Sequence, residues 1–277
     1  MLSYRHAFHA GNHADVLKHW VMVLCLQYMK RKDKPFLYLD THAGAGLYPL
    51  SNHIAEKNGE YKEGIERLWN QPDTPAAFED YLAVVRYYNE RSLIVYPGSA
   101  AIATHLLRTD DRLALAELHP ADIKLLQSHL GNDKRLSIFH SDGFQQVKAL
   151  LPPPSRRGLV LIDPPYELKD DYSRVITALK DGLKRFATGT YLVWYPLLNA
   201  PYSQRFASQL QALPNIKWLN IQLMVRSKPN GPGMYGSGMF VINPPYTLQG
   251  QMQQGLPWLA EKLACDDRAD SHLAYGE

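Results

Sequence analysis

The chain has 277 residues and is 45% hydrophobic, enough to bury a large core as one domain with an insertion or as two domains. Its formal charge of +3 and its pI near 8.7 are modest and hardly favour a nucleic-acid partner over a small molecule. Cys25 and Cys265 exclude a disulfide framework, and the apolar run 20–29 is too short to cross a bilayer. We therefore expect a cytoplasmic protein of a reducing compartment, with no membrane segment.

Short apolar runs rich in Val, Ile, Leu and Tyr predict seven strands along the chain. They cover residues 36–39, 113–116, 136–139, 159–162, 191–195, 221–225 and 239–242. Helical patterns between most of them indicate crossover connections and a mainly parallel, Rossmann-like α/β sheet. Only the Gly/Pro-rich loop 228–238 joins the last two strands, which suits an antiparallel hairpin at the edge of the sheet.

An excursion from residue 47 to residue 96 separates the first two predicted strands and is far longer than a usual crossover. Apolar residues recur at helical spacing around Ile65 and around Tyr81, and Pro72 and Pro75 lie between the two patterns. We therefore predict three parts. Residues 1–46 form a cap segment, a helix and the first strand of the core, residues 47–96 form a helical insertion subdomain, and residues 97–277 complete the core.

The fourth predicted strand is followed directly by Asp163-Pro164-Pro165-Tyr166. The first proline has no N–H and cannot continue the strand, so the chain leaves the sheet at its carboxyl end, where open α/β folds bind ligands. The Asp163 carboxylate and the Pro164 carbonyl can accept both N–H groups of an exocyclic amine, and the Tyr166 ring offers a face to an extruded base. The alternative interpretation is a strand-ending Pro-Pro turn with a surface tyrosine.

Acidic residues end the first four predicted strands: Asp40, Glu117, Asp142 and Asp163. Glu117 occupies the place where a ribose diol is held in dinucleotide folds. Asp142 either accepts from the amine of an adenine ring or caps the helix that follows it. The glycine-rich turn 40–46 is either a structural turn or a ligand loop.

This order of a glycine loop, a ribose acid, an adenine acid and D-P-P-Y resembles the amino-methylating branch of the class I S-adenosylmethionine-dependent methyltransferases. A closer resemblance, to the bacterial 23S ribosomal RNA adenine-N6 methyltransferases, is carried by residues 4–19, 40–46, 96–99 and 162–166. It covers nearly the whole chain, including the insertion, and is weakest after Leu263. It implies methylation of the N6 amine of one adenine, adenine 2030 of 23S ribosomal RNA, after the base flips into the DPPY pocket.

The resemblance also implies roles for single residues. The positions that match cofactor-binding residues are His19, His42, Ser99, Glu117, Asp142, Gly143 and Asp163, and Asp163 is also the catalytic acceptor. The residues predicted to contact the RNA are Tyr4, His6, Lys18 and Tyr166, the first three in a segment that closes over the site. We expect S-adenosylmethionine as cofactor and S-adenosylhomocysteine as product, 23S ribosomal RNA as partner, no metal and no obligate protein partner, so that the protein is a monomer.

Three other functions remain open at this point. A DNA adenine methyltransferase would share the same socket, and a guanine-amine or protein-glutamine methyltransferase also fits the tetrapeptide. An RNA-binding module with a vestigial pocket is the alternative that is not an enzyme.

Two further patterns invite a different assignment of the site. Asn243-Pro-Pro-Tyr246 also fits the amine-methylating signature, but it follows the last predicted strand, so we prefer Asp163 and expect Tyr246 to pack or to end a strand. Histidines at positions 6, 9, 13 and 19 suggest a metal site, yet no carboxylate or cysteine completes a convincing ligand set.

Overall fold

A computed structural model describes residues 5–50, 59–231 and 233–277. Its strands are β1 Leu37–Asp40, β2 Leu47–Pro49, β3 Val95–Pro97, β4 Arg112–Glu117, β5 Leu136–His140, β6 Gly158–Ile162, β7 Thr190–Leu198, β8 Trp218–Met224, β9 Met234–Ile242 and β10 Asp270–Gly276. Its helices are α1 His13–Lys30, α2 Ile65–Leu68, α3 Ala76–Tyr87, α4 Ser99–Leu106, α5 Pro120–Leu130, α6 Gly143–Leu150, α7 Asp170–Arg185, α8 Pro201–Gln211 and α9 Leu248–Lys262. Among these residues, no helix is long and apolar enough to span a membrane.

Eight of the strands form one sheet in the order β10-β8-β9-β7-β6-β1-β4-β5. The strands from β7 to β5 in that order are parallel, whereas β9, β8 and β10 pair in antiparallel fashion. The predicted Rossmann-like class is confirmed, and each predicted strand is present. The sheet has one strand more than predicted, because the tail folds back as β10 along β8. The predicted antiparallel edge is confirmed, and the predicted β8–β9 hairpin is present beside it. The outermost strand at that edge is β10 and not a strand of the hairpin, because β10 pairs with β8.

Successive side chains along the buried strands point to opposite faces of the sheet, so a hydrophobic core lies on each face. In β6, Leu159 and Leu161 belong to the core beside α1, whereas Val160 and Ile162 belong to the core on the opposite face. All five residues of β6 are buried, as expected for a central parallel strand covered on both faces.

Helix α1 is an almost entirely buried helix that packs on one face of the sheet. Its N-cap is Asn12, whose side-chain oxygen accepts the backbone N–H groups of Ala14 and Asp15, both at 3.0 Å. The Trp20 ring stacks on Phe78 of α3 with ring centres 3.8 Å apart, so the described part of the region between β1 and β4 packs against α1. The amino-terminal part of α1 lies close to the carboxyl edge of the sheet, where Lys18 contacts Asp163, the residue that follows β6.

Candidate active site

A cavity of about 370 Å³ opens at the edge of the sheet where the parallel strands end. Its walls come from the residues that follow β1, β4, β5 and β6, from the end of β7, and from the first turns of α1. It is lined by all the described residues that the sequence predicted for the site: His6, Lys18, His19, His42, Ser99, Glu117, Asp142, Gly143, Asp163 and Tyr166. Tyr4, the remaining predicted RNA contact, lies outside the described residues.

Asp163 follows β6 directly, and its side chain is 15% exposed. Its Oδ2 accepts a hydrogen bond from Lys18 Nζ at 2.6 Å. The same ammonium lies 2.8 Å from Oδ1 of Asp15, so one cation on α1 bridges two carboxylates. Burial raises the pKa of Asp163 to about 6, although the Lys18 charge acts in the opposite direction. A carboxylate with such a pKa is suited to accept a proton near neutral pH.

Asp15 connects the segment before α1 to Lys18 in the site through hydrogen bonds and an ion pair. Its Oδ2 lies 2.9 Å from His6 Nε2 and accepts the backbone N–H of Gly11 at 2.9 Å. Burial would raise the pKa of Asp15, but the neighbouring His6 and Lys18 hold it well below its usual range. Burial likewise opposes the charge of Lys18, yet the two carboxylates raise the Lys18 pKa above its ordinary value. Asp15 was not among the predicted site residues, although its place three residues before Lys18 puts both on one helix face.

The turn after β1 is built around two left-handed glycines and lines the cavity. Gly44 and Gly46 have φ angles of +62° and +82°, which residues with a side chain rarely adopt. The N–H of Gly44 donates to Glu117 Oε2 at 2.8 Å, and the N–H of His119 donates to Oε1 at 2.6 Å. Burial raises the pKa of Glu117. Each of its oxygens has a second lone pair, so the carboxylate can still accept from the hydroxyls of a ribose.

Asp142 is the N-cap of α6, one of its two predicted roles, and its Oδ1 accepts the N–H of Phe144 at 3.0 Å. Its Oδ2 pairs with Arg174 of α7, whose guanidinium lies 4.5 Å from the centre of the Phe144 ring. His42 meets the same ring edge-on at 5.2 Å. Burial, with Arg174 adding to it, lowers the His42 pKa to about 3, so this imidazole is neutral at pH 7. Arg174 was not predicted, because it lies 32 residues from its partner.

Close packing against the backbone of Thr41 leaves no room for a side chain at Gly143. A Cβ at this position would lie 1.8 Å from the carbonyl oxygen of Thr41. We expect Gly143→Ala to lower the free energy of unfolding by about 1–3 kcal/mol, and to weaken cofactor binding because the turn after β1 must shift. Thermal unfolding and calorimetry measure the two effects. Gly250→Ala is the control, since a Cβ there meets nothing within 4 Å and alanine favours the helix. Equal stability and affinity in Gly143→Ala and the wild type would contradict the prediction.

Two residues predicted to bind the cofactor, His19 and Ser99, are buried and make polar contacts with other buried residues. His19 Nδ1 lies 2.7 Å from the hydroxyl oxygen of Tyr96, and burial lowers the His19 pKa to about 3. Ser99, the first residue of α4, hydrogen-bonds to the carboxylate of Asp40. Asp40 is completely buried and also accepts from the Tyr38 hydroxyl at 2.9 Å. Of the four strand-ending acids, Asp40 therefore supports the turn, while the other three line the cavity.

Tyr166 is largely enclosed by other aromatic rings. Its side chain is 8% exposed, and its hydroxyl donates to the carbonyl oxygen of Trp194 at 2.7 Å. The ring packs against Tyr172 and Phe206, with ring centres at 4.6 and 5.9 Å. Trp194 itself, near the end of β7, lines the cavity and was not predicted from the sequence. Its place in an apolar strand gave no sign that it differs from its neighbours.

The second tetrapeptide lies at the opposite edge of the sheet. Because β9 runs antiparallel to β7, its last residue, Ile242, pairs with Tyr191 at the start of β7. Asn243 bonds there to the carbonyl groups of Ala187 and Gly189 at 2.8 and 2.7 Å. Tyr246 is 91% exposed, so it does not pack against the core. The geometry supports the choice of Asp163, but the reason is the direction of β9 and not a place at the sheet edge.

The N-terminal histidines have separate surroundings. His9 Nδ1 lies 2.8 Å from Oε1 of Glu60, while His6 faces Asp15 and His19 faces Tyr96. Among the residues that the structure describes, no group of three or more His, Cys, Asp or Glu side chains is placed to hold a metal ion.

Comparison with known proteins gives concordant results. The family described as "Ribosomal RNA large subunit methyltransferase D, RlmJ" matches residues 33–273. Ribosomal RNA large subunit methyltransferase J of Escherichia coli (strain K12) is 54% identical over 264 residues, covering 95% of this chain and 94% of that protein. The protein of the same name from Haemophilus influenzae is 52% identical over 265 residues, with the same two shares. A crystal structure of a Legionella pneumophila protein, 37% identical, superimposes with a TM-score of 0.90 over 97% of this chain and 98% of that one.

Proposed function

The chain belongs to this family of ribosomal RNA large subunit methyltransferases, and we propose that it methylates the exocyclic N6 amine of one adenine in 23S ribosomal RNA. The observation that carries the proposal is the position of the Asp163 carboxylate. It lies at the carboxyl edge of the parallel sheet, inside the cavity that Glu117 and Asp142 also line. The predicted target, adenine 2030, is part of the proposal.

The residues of the cavity fit S-adenosylmethionine as the methyl donor. Glu117 and Asp142 follow the neighbouring strands β4 and β5, a spacing suited to the ribose and the adenine of one nucleoside. The backbone at Gly44 has room for no side chain, since a Cβ there would lie 2.0 Å from the Tyr48 hydroxyl oxygen. His19, His42 and Ser99 complete the proposed cofactor site. When bound, the cofactor supplies an electrophilic methyl group on its sulfonium sulfur.

The protein's own contribution would be to hold and prepare the adenine amine. The amine is a poor nucleophile because its lone pair is delocalised into the ring. Asp163 would accept one of its N–H groups and the carbonyl of Pro164 the other, which directs the lone pair and prepares the release of a proton. The base would leave its RNA stack to reach this position, as other enzymes that modify bases require. Because the methyl group is already reactive, alignment in a site closed to water would supply most of the acceleration.

Transfer of labelled methyl groups to 23S ribosomal RNA from cells that lack this protein tests the proposal. We expect the label on the N6 amine of one adenine, located by mapping the modified nucleotide. Label on duplex DNA but not on ribosomal RNA would support a DNA adenine methyltransferase, and label on guanine or on protein glutamine would support the other amine substrates. Absence of S-adenosylmethionine binding in calorimetry would support an RNA-binding module with a vestigial pocket.

A further inference from the structure

The loops at the amino edge of the sheet, opposite the cavity, carry an excess of positive charge. Five segments run from the last two residues of a helix to the first residue of a parallel strand: 29–37, 105–112, 129–136, 149–158 and 184–190. Together they contain twelve Lys and Arg residues and four Asp residues, which gives a net charge of +8. The whole chain carries +3, so the remaining residues carry −5. These five segments form the basic face.

Contacts between neighbouring loops hold the centre of the basic face together. The N–H of Arg112 donates to the carbonyl oxygen of Phe36 at 3.0 Å. The guanidinium groups of Arg108 and Arg157 lie 5.9 and 5.8 Å from the centre of the Phe36 ring. Both groups also donate to the carbonyl oxygen of Lys34. The loop between α1 and β1 is therefore anchored to the loops that precede β4 and β6.

Helix ends and ion pairs explain only part of this charge. Arg135 donates to two carbonyl groups at the end of α4, where a cation is favourable. Arg108 and Arg135 pair with three of the four aspartates. Six exposed side chains of the basic face form no ion pair with another described residue: Lys32, Lys34, Lys134, Arg156, Lys184 and Arg185. Like charges on one surface repel each other and oppose folding, so stability does not account for them.

The loops around the cavity have the opposite charge. The five segments that follow β1, β4, β5, β6 and β7 contain six acidic residues and one basic residue. They cover residues 40–47, 117–120, 140–143, 162–170 and 198–201. Most of the affinity of proteins for RNA comes from Lys and Arg contacts to phosphates. The cavity loops are thus suited to hold one base, and the charge that attracts an RNA backbone lies at the other edge.

We propose that the basic face binds the phosphate backbone of a second segment of the substrate RNA while the target adenine occupies the cavity. This inference rests on the function proposed above and names a second contact with the same substrate. Strand β6 has five residues, so it is about 17 Å long and separates the two edges by roughly that distance. A short stem-loop seated at the cavity does not reach around the sheet, whereas a long, folded ribosomal RNA does.

The first test measures RNA binding by the triple variant Lys32→Gln, Lys34→Gln, Lys184→Gln. We expect its Kd for unmethylated 23S ribosomal RNA to rise by about 10-fold or more at physiological salt, and the slope of log Kd against log salt to fall by about 2 to 3. For a short stem-loop that carries the target adenine, Kd should change by less than about twofold, because the cavity is distant from the substitutions. The kcat with saturating 23S RNA should stay unchanged for the same reason.

A second triple variant, Lys62→Gln, Lys124→Gln, Lys148→Gln, is the matched control. These three lysines are exposed and lie outside the basic face, so the variant loses the same charge elsewhere. We expect its Kd for 23S RNA to change by less than about threefold. Thermal unfolding separates binding from structure. The basic-face variant should be at least as stable as the wild type, because repulsion between like charges is relieved.

Three results would overturn the inference. The first is equal binding of 23S RNA by the basic-face variant and the wild type, and the second is an equal loss of binding in the control variant. The third is binding of phosphatidylserine vesicles that the basic-face variant loses while it keeps its RNA affinity, which would assign the face to a membrane surface. If the wild-type protein methylates no adenine in ribosomal RNA, it is the proposed function that fails, and the Kd values, measured without methyl transfer, still decide whether the basic face binds RNA.

Discussion

Replacing Asp163 by alanine is expected to reduce methyl transfer by about 100- to 10,000-fold while the protein remains folded. The carboxylate is the group that would accept the N–H of the target amine, and within the described residues its hydrogen bond is to the Lys18 side chain and not to the backbone. Lys18 loses one partner but keeps Asp15 at 2.8 Å, so its buried charge stays compensated. Single-turnover rates with saturating RNA and cofactor measure the loss, and thermal unfolding checks the fold.

Two further variants sharpen this prediction. Asp163→Asn keeps the shape and one acceptor oxygen but cannot take a proton, so it separates orientation of the amine from proton acceptance. Tyr246→Ala changes the exposed residue of the second tetrapeptide and should leave the rate unchanged. Near-normal turnover by Asp163→Ala would remove Asp163 from the mechanism.

The strands were predictable where both faces of the sheet are covered. Runs such as Leu159–Ile162 are continuously apolar because helices pack on both sides, and this pattern survives in the sequence. The strand β10 has no such pattern, because its residues Asp270–Gly276 alternate between exposed and partly buried positions at the sheet edge. The strand β10 is stabilised by backbone hydrogen bonds to β8, and a seven-residue sequence pattern does not predict pairing with a distant strand. The proposed division at residues 46 and 96 stays a prediction.

The candidate site was predictable where topology alone fixes it. Parallel strands end at one edge, so Glu117, Asp142 and Asp163 were expected together, and all three line the cavity. What the sequence did not reveal are contacts between distant segments. Lys18 and Asp163 are 145 residues apart, and nothing in either segment indicates the other. Trp194 reaches the site only through the placement of β7 beside β6, which is a property of the folded sheet.

Removing the charge of Lys18 is expected to shift the pH dependence of the reaction. If the reaction needs the Asp163 carboxylate, the rate rises as pH increases through its pKa of about 6. Lys18 lowers that pKa, so Lys18→Met should raise it and move the rising limb of kcat/KM to higher pH. At pH 7 the rate should fall about tenfold for each unit by which the pKa exceeds 7, and recover at higher pH.

The same substitution should also weaken the fold, because Asp15 is buried and loses its cation. Breaking a buried pair costs roughly 3–5 kcal/mol, which denaturant unfolding measures. The double variant Asp15→Asn with Lys18→Met removes the unpaired carboxylate and should regain much of that stability, while the pH limb stays above that of the wild type. If Lys18→Met lowers kcat/KM but leaves the pH of the rising limb unchanged, the result would contradict this account. It would favour the predicted contact of Lys18 with RNA. The two roles are thus separable, because a lost RNA contact raises KM at every pH, whereas a lost cation beside Asp163 acts through the ionisation of that carboxyl group.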